Sequence, residues 1–283
     1  MRRARFISVL ITTGLVRAQP SCSVIGDLEL RPFTSRIFHN TRNLRVWLPP
    51  GYRSPQHRQD RYPVLYLNDG QNLFDACTSI FNPREWRADE TATELIRDAK
   101  IPALIIVGID NGGRRDRPKE YLPFPDDTLR PPVPRVQGKR YPRFLLEEVM
   151  PFIEHEYRVD PSPARTGLGG SSYGAGIALY TAMMRPGRFG LLLLESPSLY
   201  AHGDYLQNLA KKFTRWPEKI FIGVGSVNEP VEDVRRLRDI LRHRGLTSSR
   251  LLVLEQEGAA HDESAWAARF PRALQFLFAS SSP

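Results

Sequence analysis

Ser172 stands in Gly170-Ser171-Ser172-Tyr173-Gly174, a serine with a glycine two positions away on each side. The strand-like Arg165-Thr166-Gly167-Leu168 precedes it and a helix-compatible stretch, 175–184, follows, which is the context of a nucleophile on a sharp strand-to-helix turn. The backbone of such a nucleophile is strained, and its neighbours must lack side chains for strand and helix to pass closely. The hydroxyl is then carried beyond the strand end, and the amide of Tyr173 is left at the helix start, free to donate to a developing oxyanion. Ser171 competes for the role, but its flanks, Gly169 and Tyr173, do not give the two-glycine frame. Glycine-rich serine turns also occur without chemistry. A phosphate loop is disfavoured, since no Gly-Lys-Ser/Thr follows the glycines.

A serine hydroxyl needs a base to become a nucleophile. His261, in Gly258-Ala259-Ala260-His261-Asp262, follows the last strand-like run and precedes the final helix, a loop from which an imidazole can turn back over Ser172. His39, His57, His155, His202 and His243 are less suitably placed and read as surface or packing residues. The base in turn needs a carboxylate to hold its tautomer and its protonated form. Glu229 comes just beyond Ile220-Phe221-Ile222-Gly223-Val224; Asp233 competes with it and equally suits a helix N-terminus, where a carboxylate complements the dipole. A second oxyanion donor is expected from Asn68-Asp69-Gly70-Gln71-Asn72, with Gln71 N–H in the hole and Gly70 making the close turn. The alternative there is a polar turn with no chemical duty.

The elements that would position these groups alternate along the chain. Strand-like runs cover 44–48, 62–67, 103–109, 189–194, 219–224 and 251–254; helical patterns cover 88–98, 144–157, 175–184, 205–213, 231–244 and 266–278. Pro151 is expected to kink or interrupt the second of these helices. Such alternation predicts an α/β fold, a mainly parallel sheet covered by helices on both faces, with its chemistry beyond the carboxyl ends of the strands. Residues 110–141 break the rhythm with paired glycines, many arginines and many prolines, and read as an insertion or lid that sets substrate choice. Within and around it, Asp110, Asn111, Arg114, Tyr121, Phe124, Tyr200 and Trp266 are the candidate pocket residues. Arg114, Arg115 and Arg117 would favour a carboxylate, catecholate or phosphate-bearing ester; the blander alternative is a solvated basic lid.

Composition narrows the class. The chain has 283 residues, 41% hydrophobic and 25% charged, which suits one soluble domain over 19–283 with no low-complexity linker. Its net charge of +9 comes mostly from scattered arginines without a nucleic-acid-binding module, so no nucleic-acid partner is expected. Met1-Arg2-Arg3-Ala4-Arg5, an apolar run over 6–16 and the small-x-small Val16-Arg17-Ala18 read as an export leader over 1–18, too short for a membrane span. The competing reading is a cytoplasmic basic tail. The two cysteines, Cys22 and Cys77, would pair in an exported protein and stay free in a cytoplasmic one. So few Cys and His argue against a metal site, and no cofactor is expected.

Taken in order, these motifs make the stretch 44–278 resemble the putative esterase family of the α/β-hydrolases, which includes enterochelin and feruloyl esterases, S-formylglutathione hydrolases and antigen 85-type mycolyltransferases. The resemblance rests on Val46-Trp47-Leu48-Pro49-Pro50-Gly51-Tyr52, Leu67-Asn68-Asp69-Gly70-Gln71-Asn72-Leu73-Phe74, the turn at Ser172, the loop through Glu229, and Ala260-His261-Asp262. It implies an α/β-hydrolase fold with Ser172 as nucleophile, Glu229 as acid, His261 as base and the amides of Gln71 and Tyr173 as oxyanion donors. The implied reaction is hydrolysis of a small-molecule carboxylic ester, aryl or carbohydrate-linked, through an acyl-enzyme. An acyltransferase using the same triad, an amide hydrolase and an inactive hydrolase-like binding protein are the alternatives. The stretch 114–140 departs from the family pattern, which leaves the substrate open.

Overall fold

A computed structural model describes residues 22–80, 83–126, 129–201 and 203–279; the leader expected over 1–18 lies outside them. Among the described residues eight strands form one sheet: β1 (Asp27–Ser35), β2 (Asn40–Leu48), β3 (Val64–Asn68), β4 (Ile105–Ile109), β5 (Thr166–Ser171), β6 (Leu191–Glu195), β7 (Lys219–Gly225) and β8 (Leu251–Gln256). Their order is β1-β2-β4-β3-β5-β6-β7-β8. β1 pairs antiparallel with β2 and β2 with β4; every later pairing is parallel. Between the strands run α1 (Ala88–Arg97), α2 (Arg117–Tyr121), α3 (Tyr141–Phe144), α4 (Met150–Glu156), α5 (Tyr173–Met184), α6 (Tyr205–Lys212), α7 (Val231–His243) and α8 (Glu263–Phe278). This is the expected mixed α/β architecture, with β1 added at one edge.

Alternate residues of each strand enter different cores, as the two-residue period of a strand requires. Leu65, Leu67, Ile106, Leu191, Leu193 and Phe221 face α1 and α8, whereas Val64, Tyr66, Val107, Leu192, Leu194 and Ile222 face the helices from α3 to α7. α5 is buried at every position from Gly174 to Met183, so it has no polar stripe and reads apolar all round. Before Pro151 the helix takes a π turn over Leu145–Val149, in which Met150 N–H donates to Leu145 O. The proline has no N–H to give the preceding turn, and the wider turn is the form its interruption takes. Among the described residues no helix is long and apolar enough to cross a membrane.

Candidate active site

Ser172 sits between β5 and α5 with φ 56° and ψ −126°, a conformation that side-chain-bearing residues adopt only under strain. Its amide is held by Glu195 O at 2.9 Å, and its own carbonyl accepts from Ser198 N at 3.2 Å and Gly176 N at 3.1 Å. The close approach explains Gly174: a Cβ there would lie 2.9 Å from Asp69 Oδ2 and 3.1 Å from Asn68 Cβ. Asn68 Nδ2 also donates to Gly174 O at 2.7 Å, tying the end of β3 to the first turn of α5. Ser172 Oγ lies 3.3 Å from Ser198 Oγ, its hydrogen-bond partner among the described residues.

The loop after β7 and the loop after β8 bring Glu229 to His261. His261 Nδ1 is 2.9 Å from Glu229 Oε2, and the Glu229 side chain is wholly buried while the imidazole is 35% exposed. Ser196 Oγ donates to the other oxygen, Glu229 Oε1, at 2.5 Å, and Trp266 Nε1 donates to Ser196 Oγ at 3.0 Å. Trp266 also stands edge-on to the imidazole, ring centroids 5.3 Å apart. Asp233 sits apart from this arrangement, in the first turn of α7 and 3.4 Å from Arg236. Behind Ser196, burial pushes the Glu195 carboxyl up to about 7; Arg269 opposes that rise and Glu229 adds to it. Arg269 meets Glu195 Oε2 at 2.8 Å with both groups buried.

The turn after β3 is built around Asp69, whose φ of 60° starts a 3-10 turn over Gly70–Asn72. Gly70 packs on the backbone of β4, where a Cβ would meet Gly108 C at 2.5 Å. Arg117 grips both Asp69 oxygens, Nε to Oδ1 at 2.8 Å and Nη2 to Oδ2 at 2.7 Å, and Asn111 Nδ2 donates to Oδ1 at 2.6 Å. Thr78 Oγ1 braces the turn by donating to Gln71 O at 2.8 Å. Among the described residues the amides of Gln71 and Tyr173 have no hydrogen-bond partner.

A cavity of about 240 Å³ is lined by Asn72, Arg117, Ser171, Ser172, His261, Glu263 and Trp266. Trp266 is the one candidate pocket residue found on its wall. Asp110 instead lies behind the turn, paired with Arg45 at 2.7 Å, and burial raises its carboxyl against the pull of that arginine. Asn111 likewise supports Asp69 from behind. Tyr121 is buried with its hydroxyl accepting from Asp69 N at 3.3 Å, and Phe124 stacks at 3.8 Å on Tyr205. Arg114 reaches Ile80 O, and Tyr200 is 47% exposed. Ser196, Ser198, Glu263 and the Glu195–Arg269 pair carry no local motif and were missed. Apart from Arg269, which lies within α8, their only sequence signal is position, at or just beyond the carboxyl end of a strand or at the start of α8.

Comparison with known proteins places this chain among relatives. Ferri-bacillibactin esterase BesA of Bacillus subtilis is 26% identical over 254 residues, covering 83% of this chain and 80% of that protein. The endo-1,4-beta-xylanase/feruloyl esterase of Xylanibacter ruminicola is 24% identical over 257 residues, 89% of this chain but 31% of that protein. The crystal structure of the enterobactin esterase from Shigella flexneri in the presence of 2,3-dihydroxy-N-benzoyl-serine superposes with a TM-score of 0.68 at 18% identity. That match covers 90% of this chain and 61% of the Shigella chain, so this chain spans about three fifths of that protein's length. The model of the family described as putative esterase matches residues 35–277, and the chain belongs to that family.

Proposed function

We propose that this chain is a serine carboxylic ester hydrolase working through an acyl-enzyme. The observation that carries the reading is the buried Glu229 held 2.9 Å from His261 Nδ1, over the cavity that Ser172 also lines. With Nδ1–H donating to the carboxylate, Nε2 keeps its lone pair and serves as base. Ser172 Oγ turns from Ser198, passes its proton to His261 and attacks the ester carbonyl, and the amides of Gln71 and Tyr173 receive the oxyanion. His261 gives the proton to the leaving alcohol; a water deprotonated by His261 then releases the acid and restores the serine. Aryl esters are the proposed substrate class. An indole and a guanidinium line the cavity with the serine, and the relatives named above are a ferri-bacillibactin esterase, an endo-1,4-beta-xylanase/feruloyl esterase and an enterobactin esterase met by a dihydroxybenzoyl compound. The same reading takes 19–283 as one domain and 1–18 as an export leader, which N-terminal sequencing of the exported protein checks.

The test joins a fluorophosphonate probe, mapped by mass spectrometry, to turnover of aryl-acyl and alkyl-acyl p-nitrophenyl esters. A single adduct on Ser172 is expected, and Ser172→Ala is expected to lower kcat by at least about 10³-fold. Turnover that survives Ser172→Ala would overturn the reading.

A further inference from the structure

Cys22 and Cys77, the chain's two cysteines, stand side by side on the surface, both exposed as thiols. The backbone brings them there. Residues 22–26 are stitched to the start of α1 and the loop before it. Ser23 Oγ donates to Glu85, Ala76 N donates to Ser23 Oγ at 3.3 Å, and Ile25 N donates to Asp89 Oδ2 at 2.6 Å. Trp47 Nε1 adds a bond to Ile25 O at 3.2 Å. Because Ser23 is fixed against Ala76, the next residue outward on each segment, Cys22 and Cys77, must also be neighbours. Their sulfurs and a carboxylate oxygen of Asp75 all lie within 4.8 Å of one another. On its own side, Cys77 is placed by its backbone N–H, which donates to Asp75 Oδ1 at 2.8 Å.

We propose that Cys22 and Cys77 are a disulfide-forming pair, an oxidative cross-link that fastens the N-terminal arm to the loop behind the 70–72 turn. The oxidant is a small-molecule or protein disulfide reaching the exposed pair. The Cys77 thiol is pushed up to about 12, first by its hydrogen bond with Cys22 and then by desolvation and Asp75. In one order of the exchange Cys22 loses its proton to solvent and attacks one sulfur of the donor, the donor S–S bond breaks, and one thiol leaves. Cys77 then loses its proton to solvent and displaces the second thiol. Two protein thiols become one S–S bond while one donor disulfide becomes two thiols. The cross-link would restrain Thr78, the next residue, and through its bond to Gln71 O the turn itself. Only this last consequence involves the proposed ester chemistry; the cross-link stands or falls independently of it.

The test holds the full chain in glutathione buffers of graded redox poise, quenches with acid and maps the peptides. Expected are a monomer about 2 Da lighter, a peptide pair joining Cys22 to Cys77, and a Tm about 5–10 °C above that of the dithiothreitol-reduced protein. Cys22→Ser and Cys77→Ser should each abolish the mass change and the redox dependence of Tm. Reduction of the wild type supplies the same comparison if either variant folds poorly. Three results overturn the proposal: both thiols alkylated after the oxidising buffer, cross-linking between chains instead of within one, or one equivalent of added zinc shielding both thiols until a chelator removes it.

Discussion

Ser196 is the residue through which the buried Glu229 is held on the side away from His261. A carboxylate removed from water is costly unless its lone pairs are met, and Ser196 Oγ meets one oxygen while His261 meets the other. Trp266, through its indole N–H, fixes the serine in turn, so a residue that lines the cavity also orients Glu229. On the proposed mechanism, Ser196→Ala is expected to lower kcat/KM about tenfold with KM little changed, because the lost bond to a charged group would act on the imidazolium that mechanism forms. Steady-state kinetics check this, and a loss smaller than twofold would remove Ser196 from the account. At this scale the sequence was unevenly legible. Ser172, Glu229 and His261 each follow a strand and carry a local frame that can be read without the fold. Ser196 and Glu195 close a contact with Arg269 across more than seventy positions, and nothing beside them in the chain announces it.

Elements, not single residues, set the turn that carries Gln71. α2 approaches β3 through the Arg117–Asp69 pair, with Asp69 in a positive-φ conformation that the pair helps to hold. Arg117→Met would leave the buried Asp69 charge unpaired and is expected to cost about 3–5 kcal/mol in urea unfolding. Arg117→Lys should recover part of that but not the two-pronged grip. Within 110–141, Asp110, Asn111, Arg117 and Tyr121 brace the turn from behind, a role set by a long-range ion pair, and Arg117 also lines the cavity. At α1 two effects compete. The helix N-terminus favours a charged Asp89, yet burial wins and pushes its carboxyl up to about 8, with Glu90 adding to the rise and Ile25 N–H opposing it. The folded state therefore holds a proton that the unfolded chain gives up, and stability falls as pH rises from the ordinary carboxylate range towards 8. Asp89→Asn, which copies the protonated form, should raise Tm at pH 8 more than at pH 5, a difference that thermal melts at the two pH values would show. β1 was not foreseen, because it alternates Asp27, Glu29 and Arg31 with Leu28, Leu30 and Pro32 and leaves Leu30 53% exposed, so it lacks the continuous apolar run that marks the inner strands.

Across the molecule, order should follow depth in the sheet. β3, β5 and β6 are buried along their whole length and bonded on both sides, whereas β1 is a half-exposed edge. Native-state hydrogen exchange is expected to be slowest in those three strands and faster in β1, which places the turn at Ser172 on the most rigid part of the fold. Exchange in β5 as fast as in β1 would contradict that ranking. The π turn at Leu145–Val149 sets a phase relation across the same region. One residue more than an α-helix needs rotates everything before it by about 100° relative to α4. That rotation brings Tyr141 to bear on Asn68, and Asn68 in turn grips Gly174 two residues from Ser172. Wound with the same residues as uninterrupted α-helix, the segment would swing its tyrosine off the strand end. The irregularity works as an angular offset, aligning a distant helix with the point where the chain must bend most sharply.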